Sequence, residues 1–175
     1  ESLPRTVLDA KPALWWKQAS LLLLIGQTAD VEEKLQATEA ALAAAAQSGA
    51  EPDDTTRNLI GKIAVARAAL AETQVQIETI LVQARRALEY LHPNNLSYRS
   101  SAMRLLGFAH YWLEDWAEAN QAYAEALSLA QVAGDIPNSI SASIRLGQVQ
   151  ENQNQIYLAA ETYQYALQLF GDYSP

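Results

Sequence analysis

Apolar residues recur at three- and four-residue intervals through most of the chain, and short polar breaks interrupt them. This spacing is typical of amphipathic helices. Pro12 stands where a first helix can begin, Gly26 where it can end, and Gly171 where the last helix can end. The breaks predict eight helices, which pair into four hairpins over about 12–46, 55–91, 96–132 and 136–170. Because the turns within pairs are short, the paired helices are expected to run antiparallel.

An internal repeat fixes the register of the last two hairpins. Leu106 and Gly107 recur forty residues later as Leu146 and Gly147. The second helices repeat at the same offset, first as Ala119, Tyr123 and Ala126, then as Ala159, Tyr163 and Ala166. The glycines are predicted to let two helices approach closely, and the tyrosines to fill the space between hairpins. This series is the tetratricopeptide signature, so the sequence predicts an all-α, right-handed superhelix.

Charge and composition narrow the classes of function. The net charge of −8, with only twelve basic residues, argues against direct nucleic-acid contact, which needs clustered Lys and Arg. The chain has no cysteine, and its longest apolar run, 21–25, is far too short for a bilayer. We therefore predict a cytoplasmic protein without membrane contact. The chain begins at Glu1, without Met, which suggests a fragment of a larger protein.

No constellation of catalytic residues is visible in the sequence. The two histidines, His92 and His110, belong to different contexts, a loop and a helix. Gly61-Lys62 falls short of a phosphate-binding loop, because Ile63 follows and Thr56 occupies the first glycine position. The sequence predicts no enzyme, no cofactor and no metal site.

Binding is the remaining function. In the predicted superhelix the first helix of each hairpin lines the concave face. The register places on that face a candidate set of aromatic and polar residues: Arg104, Phe108, Tyr111, Trp112, Arg145, Gln148, Glu151, Asn152 and Trp16. Flat aromatic rings stack on sugars or on peptide side chains, and polar groups fix their orientation. The alternative is structural: Trp112 and Trp116 flank the turn and hold the two helices of their hairpin together, and Phe108 packs against the neighbouring repeat.

Several segments resemble one particular array of repeats. They are 12–15, 24–27, 87–91, 106–107, 114–119, 122–127, 130–135 and 160–163. The array is the tetratricopeptide-like region of MalT-type, ATP-dependent transcriptional activators of the LuxR class. The resemblance implies a sensing segment that binds a protein, a peptide or a small-molecule effector such as a sugar, and signals to ATPase and DNA-binding modules elsewhere. The alternative is a general protein-interaction scaffold. The last helix is apolar on more than one side, so we expect another repeat to cover it in an intact protein. In isolation it could pair with a second copy of the chain.

Overall fold

The computed structural model describes residues 11–46 and 53–173, and within them every regular element is an α-helix. The eight helices are α1 (Pro12–Leu24), α2 (Val31–Ala46), α3 (Asp54–Thr73), α4 (Ile77–Tyr90), α5 (Leu96–Trp112), α6 (Trp116–Ala133), α7 (Ile136–Asn152) and α8 (Ile156–Tyr173). The predicted all-α class is confirmed. The polar break predicted at 48–52 lies outside the described residues. In the described part, no helix is long and apolar enough to cross a membrane.

The helices stack as successive hairpins: α1 with α2, α3 with α4, α5 with α6, and α7 with α8. The backbones of the first helices, α1, α3, α5 and α7, contact one another from hairpin to hairpin. Among residues 11–46 and 53–173, the backbones of the second helices do not. The stack therefore curves with its first helices on the inside, which we call the inner face.

The repeated glycines make room for the repeated tyrosines. A Cβ atom on Gly107 would lie 2.8 Å from Cδ1 of Tyr123, and one on Gly147 would clash with the ring of Tyr163. Each tyrosine therefore fills a gap within its own hairpin, which the sequence prediction had missed. Tyr123 also packs with Leu146 of the next hairpin, so it fills the predicted space between hairpins as well.

The turns within the last three hairpins share one backbone conformation. Val75, Glu114 and Asn154 have φ of 53°, 58° and 59°, in the left-handed region. Only the asparagine is a residue type that tolerates this region well, so the residue types at Val75 and Glu114 do not predict the left-handed conformation of these turns. The left-handed residue reverses the chain within three residues. The apolar pattern predicts that the fourth helix starts at Gln74, but this reversal moves the start of α4 to Ile77.

Aspartates begin three of the helices. The side chains of Asp53, Asp115 and Asp135 accept hydrogen bonds from the backbone N–H three residues on, at 2.8, 3.5 and 3.2 Å. Hydrogen bonding from the side chain of Thr56, and then from its backbone N–H, lowers the pKa of Asp53. The spacing of Asp115 and Glu118 predicts a capping box, but the box is only half formed, because the backbone N–H of Asp115 donates to the carbonyl of His110.

Two glycines differ in their effect on helix ends. Gly134 adopts the left-handed conformation, with φ of 65°, and ends α6. Gly171 lies inside α8, which continues to Tyr173, so the predicted stop at Gly171 is wrong. It has no left-handed conformation there, and without that a glycine does not end a helix.

Ion pairs join the first three hairpins. Arg67 of α3 lies 3.0 Å from Glu32 and 2.8 Å from Glu39, both on α2. Arg104 of α5 makes a bidentate pair with Glu72 of α3, at 2.6 and 2.9 Å. These contacts span 28 residues or more of sequence, so helical periodicity cannot predict them.

The hydrogen bonds that join the third and fourth hairpins are made by neutral groups. The amide of Asn138 donates to the Ser97 carbonyl and the Ser101 hydroxyl, at 3.3 and 3.1 Å. The amide of Asn120 on α6 donates to Gln153 in the last turn, at 3.2 Å. This junction therefore relies on hydrogen bonds and packing.

Candidate ligand-binding face

An aromatic row runs along the inner face of α5. Phe108 and Trp112, one turn apart, have ring centroids 6.1 Å apart, and Phe108 is buried whereas Trp112 is 54% exposed. Tyr111 meets Trp116 edge to face at 5.3 Å. Trp116, which the sequence did not single out for the site, thus positions Tyr111. The exposed ring of Trp112 is the part of this row that remains open to a ligand.

A polar row on α7 lies against the aromatic row. The Arg145 guanidinium lies 5.9 Å from the centroid of Phe108 and donates to the Gln148 side chain at 3.1 Å. The Asn152 amide donates to the Gln148 carbonyl at 2.9 Å and to the Tyr111 hydroxyl at 3.4 Å. The structure therefore brings six of the predicted residues together where α5 and α7 meet: Phe108, Tyr111, Trp112, Arg145, Gln148 and Asn152. We call this set the α5–α7 face.

Arg104 is on the same helix but is already engaged. Its side chain is 16% exposed and pairs with Glu72, whose side chain is 20% exposed. Burial alone would lower the pKa of Arg104, but the hydrogen bonds and charge of Glu72 outweigh it and raise the pKa. Arg104 is therefore a junction residue, with little freedom to receive a ligand.

Glu151 points away from the α5–α7 face. Its carboxylate accepts a hydrogen bond of 2.8 Å from the hydroxyl of Tyr163, on α8. Partial burial, and then the hydrogen bond and charge of Glu151, raise the pKa of Tyr163 to about 12. The predicted grouping of Glu151 with Asn152 is not observed, because the Glu151 carboxylate is bonded to Tyr163 on α8 while the Asn152 amide bonds Tyr111 on α5.

The sequence prediction placed Trp16 on the open concave face, but the structure buries it. It packs against Ile63 of α3, and its ring lies 6.2 Å from that of Tyr98 on α5. The amino group of Lys62 lies 5.0 Å from the centroid of Tyr98 and covers the cluster. The curvature of the stack brings α1 close to the start of α5, and the aromatic rings fill the inner face there.

The histidines take part in local structure. His92 accepts a hydrogen bond from the backbone N–H of Asn94, at 3.1 Å, in the turn before α5. His110 has its Nδ1 atom 3.4 Å from a carboxylate oxygen of Asp115, at the turn into α6. Within residues 11–46 and 53–173, no three His, Cys, Asp or Glu side chains form a group that could hold a metal ion.

Stacked helical hairpins, the glycine–tyrosine contact and the repeated left-handed turn together define a tetratricopeptide-like repeat protein. Residues 61–174, about two-thirds of the chain, match the family described as the MalT-like TPR region. The chain belongs to this family. No curated protein and no solved structure matches the chain. The match includes every residue of the α5–α7 face.

Proposed function

We propose that this repeat region is the sensing segment of a MalT-like transcriptional regulator, and that it binds an effector on the α5–α7 face. The observation that carries the proposal is that the half-exposed Trp112 ring lies beside Phe108, and that Arg145 contacts the same Phe108 ring from α7. Gln148 and Asn152 are hydrogen-bonded next to that guanidinium and to Tyr111. Two amides and a guanidinium supply donors and acceptors, and the ring supplies an apolar platform. A sugar or another small polar molecule with one apolar face matches these groups.

The segment binds and transmits in this proposal, and it catalyses nothing. ATP hydrolysis and DNA contact are assigned to other modules of a regulator, by family likeness. The net charge of −8 supports the assignment for DNA, because phosphate binding requires an excess of basic groups. The proposed setting is the cytoplasm, where such a regulator meets both its effector and its promoter.

A thermal-shift screen tests this function. The purified chain is heated with oligosaccharides, nucleotides, small metabolites and a peptide pool. A ligand at a hundred times its Kd stabilises the folded state by about 2.7 kcal/mol. A response to a small molecule supports the sensor. A response to peptides alone favours the alternative, a general protein-interaction scaffold.

Double substitution then locates the site. Trp112→Ala with Asn152→Ala removes the platform and one amide, and both side chains are exposed, so the helices should persist. We expect the variant to lose the ligand response while its helical circular dichroism stays unchanged. The matched control is Val82→Ala on α4, an exposed side chain distant in sequence from the face. An undiminished response in the double variant would reject the α5–α7 face.

A further inference from the structure

A small polar cavity lies where the second hairpin meets the loop into the third. Its volume is about 210 Å³, and its wall comes from the start of α3, the end of α4, the loop 91–95 and the first turn of α5. Pockets for drug-sized ligands measure about 300–1,000 Å³, so this cavity suits a small molecule. The ionisable side chains in its wall are Asp54, Arg57, Glu89, Tyr90, His92 and Arg99.

Hydrogen bonds hold His92 in place in the loop wall of the cavity. Its backbone N–H donates to the side-chain oxygen of Asn58 on α3 at 3.1 Å, and the same oxygen accepts from the Asn95 amide at 2.9 Å. The Nδ1 atom of His92 accepts from the backbone N–H of Asn94 at 3.1 Å. In the neutral ring the proton is therefore on Nε2, which makes that atom a hydrogen-bond donor.

Two arginines line the cavity from two other elements. The guanidinium carbon of Arg57, on α3, lies 5.2 Å from the centroid of the Tyr90 ring, and this contact orients the group without using its N–H donors. Arg99, on α5, donates one of its five N–H groups to the Leu88 carbonyl at 3.1 Å. Both guanidinia are therefore positioned, and both keep donors for a ligand.

Neither guanidinium in the cavity is neutralised by an acid. Arg67 and Arg104 each pair with glutamates where the hairpins meet. In the described part of the chain, Arg57 and Arg99 make no such pair. Because two guanidinia and an imidazole approach from three elements, they match the tetrahedral oxygens of a phosphate better than a planar carboxylate.

The remaining charged groups in the wall narrow the class of ligand. Asp54 and Glu89 are exposed carboxylates in the same lining. They repel a bare anion, but they accept hydrogen bonds from hydroxyl groups. We propose that the cavity binds a small phosphomonoester that carries hydroxyl groups, with its phosphate held by the two guanidinia and the imidazole and a hydroxyl held by a carboxylate. The cavity lies at the first turn of α5 and Trp112 at its last, so this site is separate from the α5–α7 face.

Glycerol 3-phosphate is the probe, because it joins a phosphate to two hydroxyl groups. It is titrated into the ¹⁵N-labelled chain at fixed pH and constant ionic strength, and the imidazole signals are followed by NMR. The sequence has only two histidines, and His110, near the other end of α5, serves as the internal reference. We expect saturable shifts of the His92 signals and little change at His110. Inorganic phosphate should bind about threefold more weakly, and acetate more weakly still.

A pair of charge-matched variants locates the phosphate. Arg57→Gln should weaken binding of glycerol 3-phosphate about tenfold, because a charge-assisted hydrogen bond is lost. The matched control is Arg85→Gln, at an exposed arginine of α4 outside the cavity, which removes the same charge and should leave binding unchanged. Both replaced side chains are exposed, so circular dichroism should show intact helices.

Removal of the acids tests the hydroxyl contact. Asp54→Ala with Glu89→Ala should abolish the preference for glycerol 3-phosphate over inorganic phosphate, because the acceptors and the repulsion are both removed. Absent binding, equal shifts at His92 and His110, or equal losses in the two arginine variants would overturn the proposal. Acetate that binds as tightly as phosphate, or inorganic phosphate that binds more tightly than the ester, would overturn the assignment to a phosphomonoester.

Discussion

The junctions between hairpins are of two kinds. The first three hairpins are joined by carboxylates that saturate Arg67 and Arg104. At the junction of the third and fourth hairpins, Arg145 lies over an aromatic ring and bonds an amide, and no carboxylate pairs with it in the described part of the chain. A guanidinium without an acid keeps donors available. The same type of repeat therefore uses its charged side chains to join hairpins at one end of the chain, and leaves a charged side chain available for a ligand at the other.

The largest expected effect comes from filling the space of a repeated glycine. Gly107→Val drives a side chain into the Tyr123 ring, which is 1% exposed and has nowhere to move. We expect a loss of about 3 kcal/mol in the free energy of unfolding, measured by urea denaturation. At the open end, Tyr163 is only partly buried and can turn aside, so Gly147→Val should cost about 1 kcal/mol.

Gly171 provides the control for both substitutions. It is helical, and a Cβ there would meet nothing within 4 Å. Gly171→Ala should be neutral or stabilise the protein by up to about 1 kcal/mol through helix propensity. Equal losses at Gly107 and Gly147 would contradict the distinction between the covered and open tyrosines.

Local sequence patterns predicted the helices, but they did not predict contacts between residues that are far apart in the sequence. The helical period and the forty-residue repeat located all eight helices and the glycine–tyrosine positions. They could not show that Trp16 is buried, because that follows from contact with Tyr98, 82 residues away. They could not pair Arg104 with Glu72 either.

The next largest effect separates the two kinds of junction. A double-mutant cycle with Arg104→Met and Glu72→Gln should give a coupling energy of about 1–2 kcal/mol in low salt. Asn138→Ala, at the neutral junction, should cost about 1 kcal/mol. In 1 M salt the coupling should fall and the cost of Asn138→Ala should stay the same. A coupling energy between Arg104 and Glu72 that stays the same in 1 M salt would contradict the electrostatic difference between the two kinds of junction.

Substitution in the turns should change the free energy of unfolding less, and should stabilise the protein. Val75 is β-branched and holds φ of 53°, which strains its backbone, and its side chain is 44% exposed. Val75→Gly should therefore stabilise the protein by about 1 kcal/mol in thermal or urea unfolding. Asn154→Gly should change little, because asparagine already tolerates the conformation. A destabilising Val75→Gly would show that the valine side chain matters more than the strain.

The smallest effect is a dependence on alkaline pH at the open end. Tyrosine in the unfolded chain ionises near pH 10, and the pKa of Tyr163 is raised to about 12. Its contribution to stability is present below pH 10 and is lost as the pH rises to about 12. Tyr163→Phe should make the free energy of unfolding fall less steeply over this range. An unchanged slope would place the alkaline effect elsewhere, as at the buried Tyr123, whose pKa burial also raises.

Hydrogen exchange with the first small molecule that passes the thermal screen is the most direct test of the α5–α7 face as an effector site. Exchange is compared, with and without ligand, in segments covering each helix. The account predicts that amides of α5 and α7 are slowed most, and that Trp112→Ala with Asn152→Ala abolishes the slowing. Protection confined to α8, or to α1–α4, with binding unaffected by the double substitution, would contradict it.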